Sequence, residues 1–160
     1  MIFTLFRALS YATIFVGFVL VFLPARVLDS AGISGPPAIG VRQITGMILG
    51  TAGALFGLWC IFAFVIIGKG TQMPLDPPRH LVIRGPYRFV RNPMYVGAGF
   101  ALAGAALYFE SLELVMYGAV LSVITHSFVV FYEERVLAEK FGPDYEAYRR
   151  QVRRWLPRLN

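Results

Sequence analysis

Four stretches of the chain carry no charged residue, at 8–25, 43–68, 92–109 and 114–132, and each is close to the ~20 residues a helix needs to cross the hydrocarbon of a bilayer. A water-soluble domain does not leave so much of itself uncharged. Only 15% of the 160 residues are charged, where roughly a quarter is usual, and the mean hydropathy is +0.62. The pattern predicts an all-α integral membrane protein of four transmembrane helices followed by a C-terminal amphipathic interfacial helix. The first run is expected to be a retained helix rather than a signal peptide, because its basic flank is the lone Arg7 and Leu23, Pro24, Ala25 and Arg26 offer no small-x-small cleavage site.

Basic residues set the orientation. Segment 69–91 holds Lys69, Arg79, Arg84, Arg88 and Arg91, and the tail from 133 holds Arg135, Lys140, Arg149, Arg150, Arg153, Arg154 and Arg158, whereas loop 24–42 has only Arg26 and Arg42. With four spans, both termini fall on the basic side, which the positive-inside rule makes cytoplasmic. A net charge of +6 is compatible with nucleic acid, but these cations flank apolar runs, so anionic headgroups of the lipid bilayer are the expected partner and nucleic acid is not. The composition leaves the oligomeric state open.

Within the second run Gly46, Gly50, Gly53 and Gly57 repeat at GxxxG-like spacing, which lets another helix approach closely. The third and fourth runs are separated by Glu110, Ser111, Leu112 and Glu113, a helical hairpin with a very short turn. Gly32–Gly40, with Gly35, Pro36 and Pro37, reads as a turn-rich external loop, and Pro74, Pro77 and Pro78 break the chain after the second span. One membrane-embedded domain over 1–160 is expected, with two spans in 1–70 and the chemistry in 71–160.

The reactive side chains gather on the basic face. Asn92 is a plausible N-cap and Pro93 suits the first position of a helix. With Arg88 and Arg91 beside it, that helix N-terminus is an anion-binding arrangement; plain anchoring of the third helix explains the same residues. Glu133 and Glu134 lie at the membrane edge, where an unpaired carboxylate is costly, and the arginines of 84–91 are the nearest cations in topology. His126 lies two helical turns before Glu133 and faces the bundle, where a structural hydrogen bond is expected of it. Phe141, Tyr145, Tyr148, Val152 and Trp155 recur at spacings of four, three, four and three between arginines, an amphipathic anchor or a lid. Walker loops, a complete GxGxxG, cysteine pairs and histidine clusters are absent, so no metal site is expected. Cys60, the one cysteine, reads as inert packing.

The segment GPYRFVRNPMYVG (85–97) together with EERVLAEKFGPDYEAYRRQVRRWLP (133–157) resembles the isoprenylcysteine carboxyl methyltransferase and phospholipid methyltransferase superfamily of integral membrane enzymes. In that superfamily RHPxYxG precedes a helical hairpin, followed by EE, FGxxYxxY and a closing proline. Here Arg91, Pro93, Tyr95, Gly97, Glu133, Glu134, Phe141, Gly142, Tyr145, Tyr148 and Pro157 match, within residues 79–157. Asn92 departs from the pattern, standing where the carboxyl methyltransferases usually have histidine.

The resemblance implies S-adenosylmethionine as methyl donor, bound on the cytoplasmic side. Its carboxylate is expected at Arg91 or the helix N-terminus, its ammonium at Glu133 or Glu134 and its adenine near Tyr145, Tyr148 and Leu156. Tyr87, Pro93, Tyr95 and Gly97 complete the implied cofactor site, with Arg91, Asn92 and Tyr95 as implied catalytic residues. The implied acceptor is lipophilic. A prenylated cysteine carboxylate stands ahead of a phospholipid amine because of the FGxxYxxY tail, and a small soluble thiol or amine comes third. Two other classes are open: an NADPH-dependent reductase of the sterol-reductase kind, which shares an RHPNYxG block but usually has an acid where this chain has Ala98, and a non-catalytic helical scaffold.

Overall fold

A computed structural model describes residues 16–36, 38–68 and 80–158. Arg7, the start of the first run, Pro37, and Lys69 to Arg79 with the three prolines between them lie outside the described residues. What is described is all-helical apart from an isolated parallel bridge between Val90 and Arg153.

Helix α1 is a π turn at Phe18–Phe22 running into Leu23–Ser30, and α2 spans Val41–Ala63 before a π turn at Phe64–Gly68. A 3-10 turn at Gly85–Arg88 precedes α3, Pro93–Phe109. Helix α4 runs without a break from Leu112 to Phe141, interrupted in register by a π turn at Val129–Glu133, and α5 is Pro143–Gln151. Two of these, α2 and α4, are long and apolar enough to cross a membrane, while α3 is apolar but shorter. Large apolar side chains such as Ile48, Leu55, Trp59, Val123, Ile124 and Phe131 are exposed along α2 and α4, which is the surface a bilayer would cover.

The closest packing joins α2 to α3, and glycine makes it possible. A Cβ at Gly46 would sit 2.6 Å from the Gly104 carbonyl oxygen, and one at Gly53 would sit 2.6 Å from both Ala101 N and Gly97 O. Backbone therefore lies on backbone along two turns, with no side chain between to give way. In a bilayer, where lipid tails are as apolar as leucine, such van der Waals contact is a main attraction between helices.

Polar groups inside the helical layer are paired locally. In the π turn of α1 the Leu23 amide donates to Phe18 O, one residue further back than in an α-helix. On that ladder residue 24 would serve Val19 O, but Pro24 has no N–H. Tyr117 of α4 supplies the missing donor, its hydroxyl reaching Val19 O at 2.7 Å.

The Glu110 end of the α3–α4 hairpin is closed by a compact turn. Glu110 takes a left-handed conformation at φ 51° and ends α3, and Ser111 starts α4 by accepting from the Leu114 amide at 3.1 Å. Gln43, almost fully buried, donates to Glu110 at 2.9 Å, and Arg42 donates to the other carboxylate oxygen at 3.1 Å. The hydrogen bond from Gln43, with Arg42 adding to it, holds the Glu110 carboxyl below the usual range against a smaller opposing effect of desolvation.

The tail differs from the amphipathic helix expected through Trp155. Helix α5 stops at Gln151, and Val152 is extended. Tyr145 and Tyr148 are buried against the protein rather than turned to lipid, because the strand-like stretch after Val152 pairs with residues 90–92. Arg91 N donates to Arg153 O at 2.9 Å and Asn92 N to Arg154 O at 3.3 Å.

Candidate active site

The chain folds so that three distant segments meet: residues 87–95, the end of α4 and the tail. Glu134 is their centre. Its Oε1 receives Arg154 Nε at 2.7 Å and Arg91 Nη1 at 3.0 Å, and its Oε2 receives Arg154 Nη2 at 3.0 Å. The side chains of Glu134 and Arg91 are each 9% exposed, against 31% for Arg154, so the bidentate arm faces outward and the single contact is the buried one. Pairing with Glu134 raises the Arg154 pKa, the hydrogen bond being the largest cause.

Adjacent residues on a helix do not share a face, and the π turn sets which way each of these two acids points. One residue more per turn shifts the face that α4 presents, and Glu134 meets the arginines while Glu133 turns to α3. There the Tyr95 hydroxyl donates to Glu133 Oε2 at 3.3 Å. No cation among the described residues lies within ion-pair distance of Glu133.

Aromatic side chains fix this arrangement from behind. Tyr145 is 2% exposed and its hydroxyl accepts from Arg91 Nη1 at 3.3 Å. Tyr148 donates to Tyr87 O at 2.6 Å, and Tyr87 packs on Phe64 beyond α2. Burial raises the pKa of Tyr145 and of Tyr148, so both hydroxyls stay protonated. Trp155 stands edge-on to Tyr95 at 6.4 Å and donates its Nε1 to His126 Nδ1 at 3.1 Å. One donor remains: Arg91 Nε is buried and has no hydrogen-bond partner among the described residues.

Most residues singled out from the sequence come together here, in altered roles. Arg91, Tyr95, Glu133, Glu134 and Tyr145 surround one cluster. Asn92 holds the N-cap position, but its side chain makes no capping bond and instead donates from Nδ2 to Arg154 O at 3.3 Å. Pro93 is the first residue of α3 and fully buried, and Gly97 serves the helix seam, where an added Cβ would lie 2.9 Å from Gly53 O. Leu156 is 70% exposed and stands apart from the tyrosines expected beside it. Arg88 also points away, stacked over Phe89. Arg154 was hidden among the tail's flanking arginines; the helix break at Val152 is what turns it inward, and the polar run before it, with neither glycine nor proline after Pro143, gives no sign of that break. A shallow hollow lined by Arg42, Gln43 and Glu110 lies at the far end of α3 and shares none of these groups.

No curated protein matches the chain significantly. A family model described as phospholipid methyltransferase matches residues 41–144, which takes in α2, the Arg91 segment, the α3–α4 hairpin and both glutamates. The chain therefore belongs to the phospholipid methyltransferase family, within the superfamily of membrane methyltransferases that also holds the isoprenylcysteine carboxyl methyltransferases.

Proposed function

We propose that the protein is an S-adenosylmethionine-dependent methyltransferase that methylates the amine of a phospholipid. The observation that carries this reading is Glu133, a carboxylate bonded only to Tyr95 among the described residues and standing beside an Arg–Glu–Arg cluster whose cations are both paired to Glu134.

The residues present fit the cofactor. Arg91 Nε is a buried donor in need of an acceptor, and a carboxylate matches a guanidinium edge. Glu134 Oε2 accepts one bond where a carboxylate oxygen can take two, which leaves room for an ammonium. An amino-acid zwitterion thus pairs with Arg91 and Glu134 in opposite sense. When bound, S-adenosylmethionine supplies a methyl group on a sulfonium. Arg154 and Tyr145 keep Arg91 and Glu134 in place, Tyr95 orients Glu133, and Glu133 Oε1 accepts the proton that an ammonium must lose before its nitrogen can act as nucleophile. Asn92 ties the tail to α3 and takes no part in proton transfer.

A prenylated cysteine carboxylate is the second reading, favoured by the Phe141–Gly142 and Tyr145–Tyr148 tail that folds onto Arg91. That acceptor needs no base and would lie against Glu133 at a cost in repulsion. In both readings the protein is one membrane-embedded domain of four spans with both termini cytoplasmic, the cofactor half being 71–160.

The test is made on the purified full chain in phospholipid vesicles with labelled S-adenosylmethionine. Label in phosphatidylethanolamine, lost in Glu133→Gln, supports the amine reading, and label in base-labile ester of a prenylcysteine supports the second. Calorimetry with S-adenosylhomocysteine is expected to show binding that Arg91→Ala weakens at least tenfold. Stabilisation by NADPH and not by S-adenosylhomocysteine would discard both.

A further inference from the structure

Trp155 fixes which nitrogen of His126 carries the proton. An indole N–H can only donate, so the Nδ1 it reaches at 3.1 Å must be a lone pair, and neutral His126 then bears its proton on Nε2. Nε2 has no partner among the described residues, and the side chain is exposed on α4. Its neighbours Val123 and Ile124 are exposed as well, on a helix apolar enough to cross a membrane. An N–H donor aimed at lipid is unfavourable unless something oxygen-bearing meets it.

Distance says what meets it. His126 is seven residues before Glu133, about 10 Å closer to the membrane centre along α4. Tyr95 and Trp155 form the wall between them, Tyr95 on Glu133 and Trp155 on His126. In a phosphatidylethanolamine the amine and the nearer glycerol ester carbonyl oxygen are separated by some ten covalent bonds, about 12 Å when extended, so the lipid spans that distance a little short of full extension. They also lie in the same order, amine at the surface and ester deeper. A prenylcysteine has only hydrocarbon at that depth.

Resting on the phospholipid-amine reading, we propose that His126 Nε2 donates to a glycerol ester carbonyl of the acceptor, with Trp155 as its positioning residue. The phospholipid then binds while it lies in its own leaflet. His126 is the depth gauge that sets its amine at Glu133.

The experiment compares phosphatidylcholine vesicles containing diacyl phosphatidylethanolamine with vesicles containing its diether analogue, which lacks the carbonyls. For the native chain we expect a KM about tenfold lower for the diacyl lipid, the value of one hydrogen bond, with kcat alike. His126→Phe is expected to raise the diacyl KM to the diether value, and His126→Gln, whose amide places an N–H near Nε2, to restore most of the difference. Trp155→Phe, with the tautomer released, falls between. Affinity for S-adenosylhomocysteine stays unchanged in both His126 variants. Equal KM for the two lipids in the native chain, or undiminished discrimination in His126→Phe, overturns the proposal alone. Native protein that binds S-adenosylhomocysteine yet methylates neither lipid overturns the amine reading and this one together.

Discussion

Replacing Glu134 with glutamine tests how the cluster is held, and its effect can be worked from the contacts. Arg91 and Arg154 both sit on Oε1, at 3.0 and 2.7 Å, so their nitrogens are within about 6 Å of each other, and at an effective dielectric near 20 two such cations repel by about 3 kcal/mol. In the native chain the carboxylate between them outweighs that repulsion; in Glu134→Gln nothing does. Breaking a buried pair by removing one partner costs about 3–5 kcal/mol, and the partial exposure of Arg154 places the expected loss at the lower end, about 3 kcal/mol. Removing Arg154 should cost less, since Glu134 keeps Arg91. The double variant Glu134→Gln with Arg154→Met should then be more stable than Glu134→Gln alone, because the unopposed pair of cations is gone. Denaturation in detergent, read as a double-mutant cycle, measures this. Simple additivity of the two losses, or a Glu134→Gln variant within 1 kcal/mol of native, would refute the electrostatic account.

Gly53→Ala places a Cβ 2.6 Å from two backbone atoms of α3 and should cost about 1–3 kcal/mol by overpacking, while Gly99→Ala, with nothing within 4 Å, should be neutral; thermal melting in detergent compares them. Tyr148→Phe removes the donor to Tyr87 O and should cost about 1–3 kcal/mol, the penalty of an orphaned carbonyl, measured the same way. Glu110, held below the usual carboxylate range by Gln43 and then Arg42, contributes stability that is present above its unfolded pKa and lost as pH falls through its depressed folded value. Gln43→Leu should therefore flatten the acid limb of a stability profile below about pH 4.5, and an unchanged limb would exclude that role.

What could be read from the sequence was whatever repeats or stands against a uniform background. The charge-free windows at 43–68 and 114–132 gave the two helices long enough to span and the one at 92–109 a shorter apolar helix, Gly46 and Gly53 gave the α2–α3 seam, and Glu110 to Glu113 gave a turn of two residues between helices. Arg91 and Glu134 were also legible as partners, since a carboxylate at the end of an apolar run needs a cation. Other features depend on single-residue shifts that leave no periodic trace. The π turn that sets which faces Glu133 and Glu134 present is one. The helix break at Val152 is another: a helical wheel carried past it puts Arg154 on an outer flank and Trp155 in line with Tyr148. Asn92 misled for a different reason, because capping and bonding to a distant carbonyl ask for the same side chain.

The backbone pairing of residues 90–92 with 153–154 has a consequence for synthesis. Arg91 is made before α3, yet its carboxylate partner and the second arginine arrive some 40 and 60 residues later, and the pairing that seats them must wait for both. Until residue 154 has left the ribosome, Arg91 stands at the membrane edge without its cage. Helices α2 to α4 are thus complete before the Arg91–Glu134–Arg154 cluster can close, and the cluster depends on a segment made after the helices it joins.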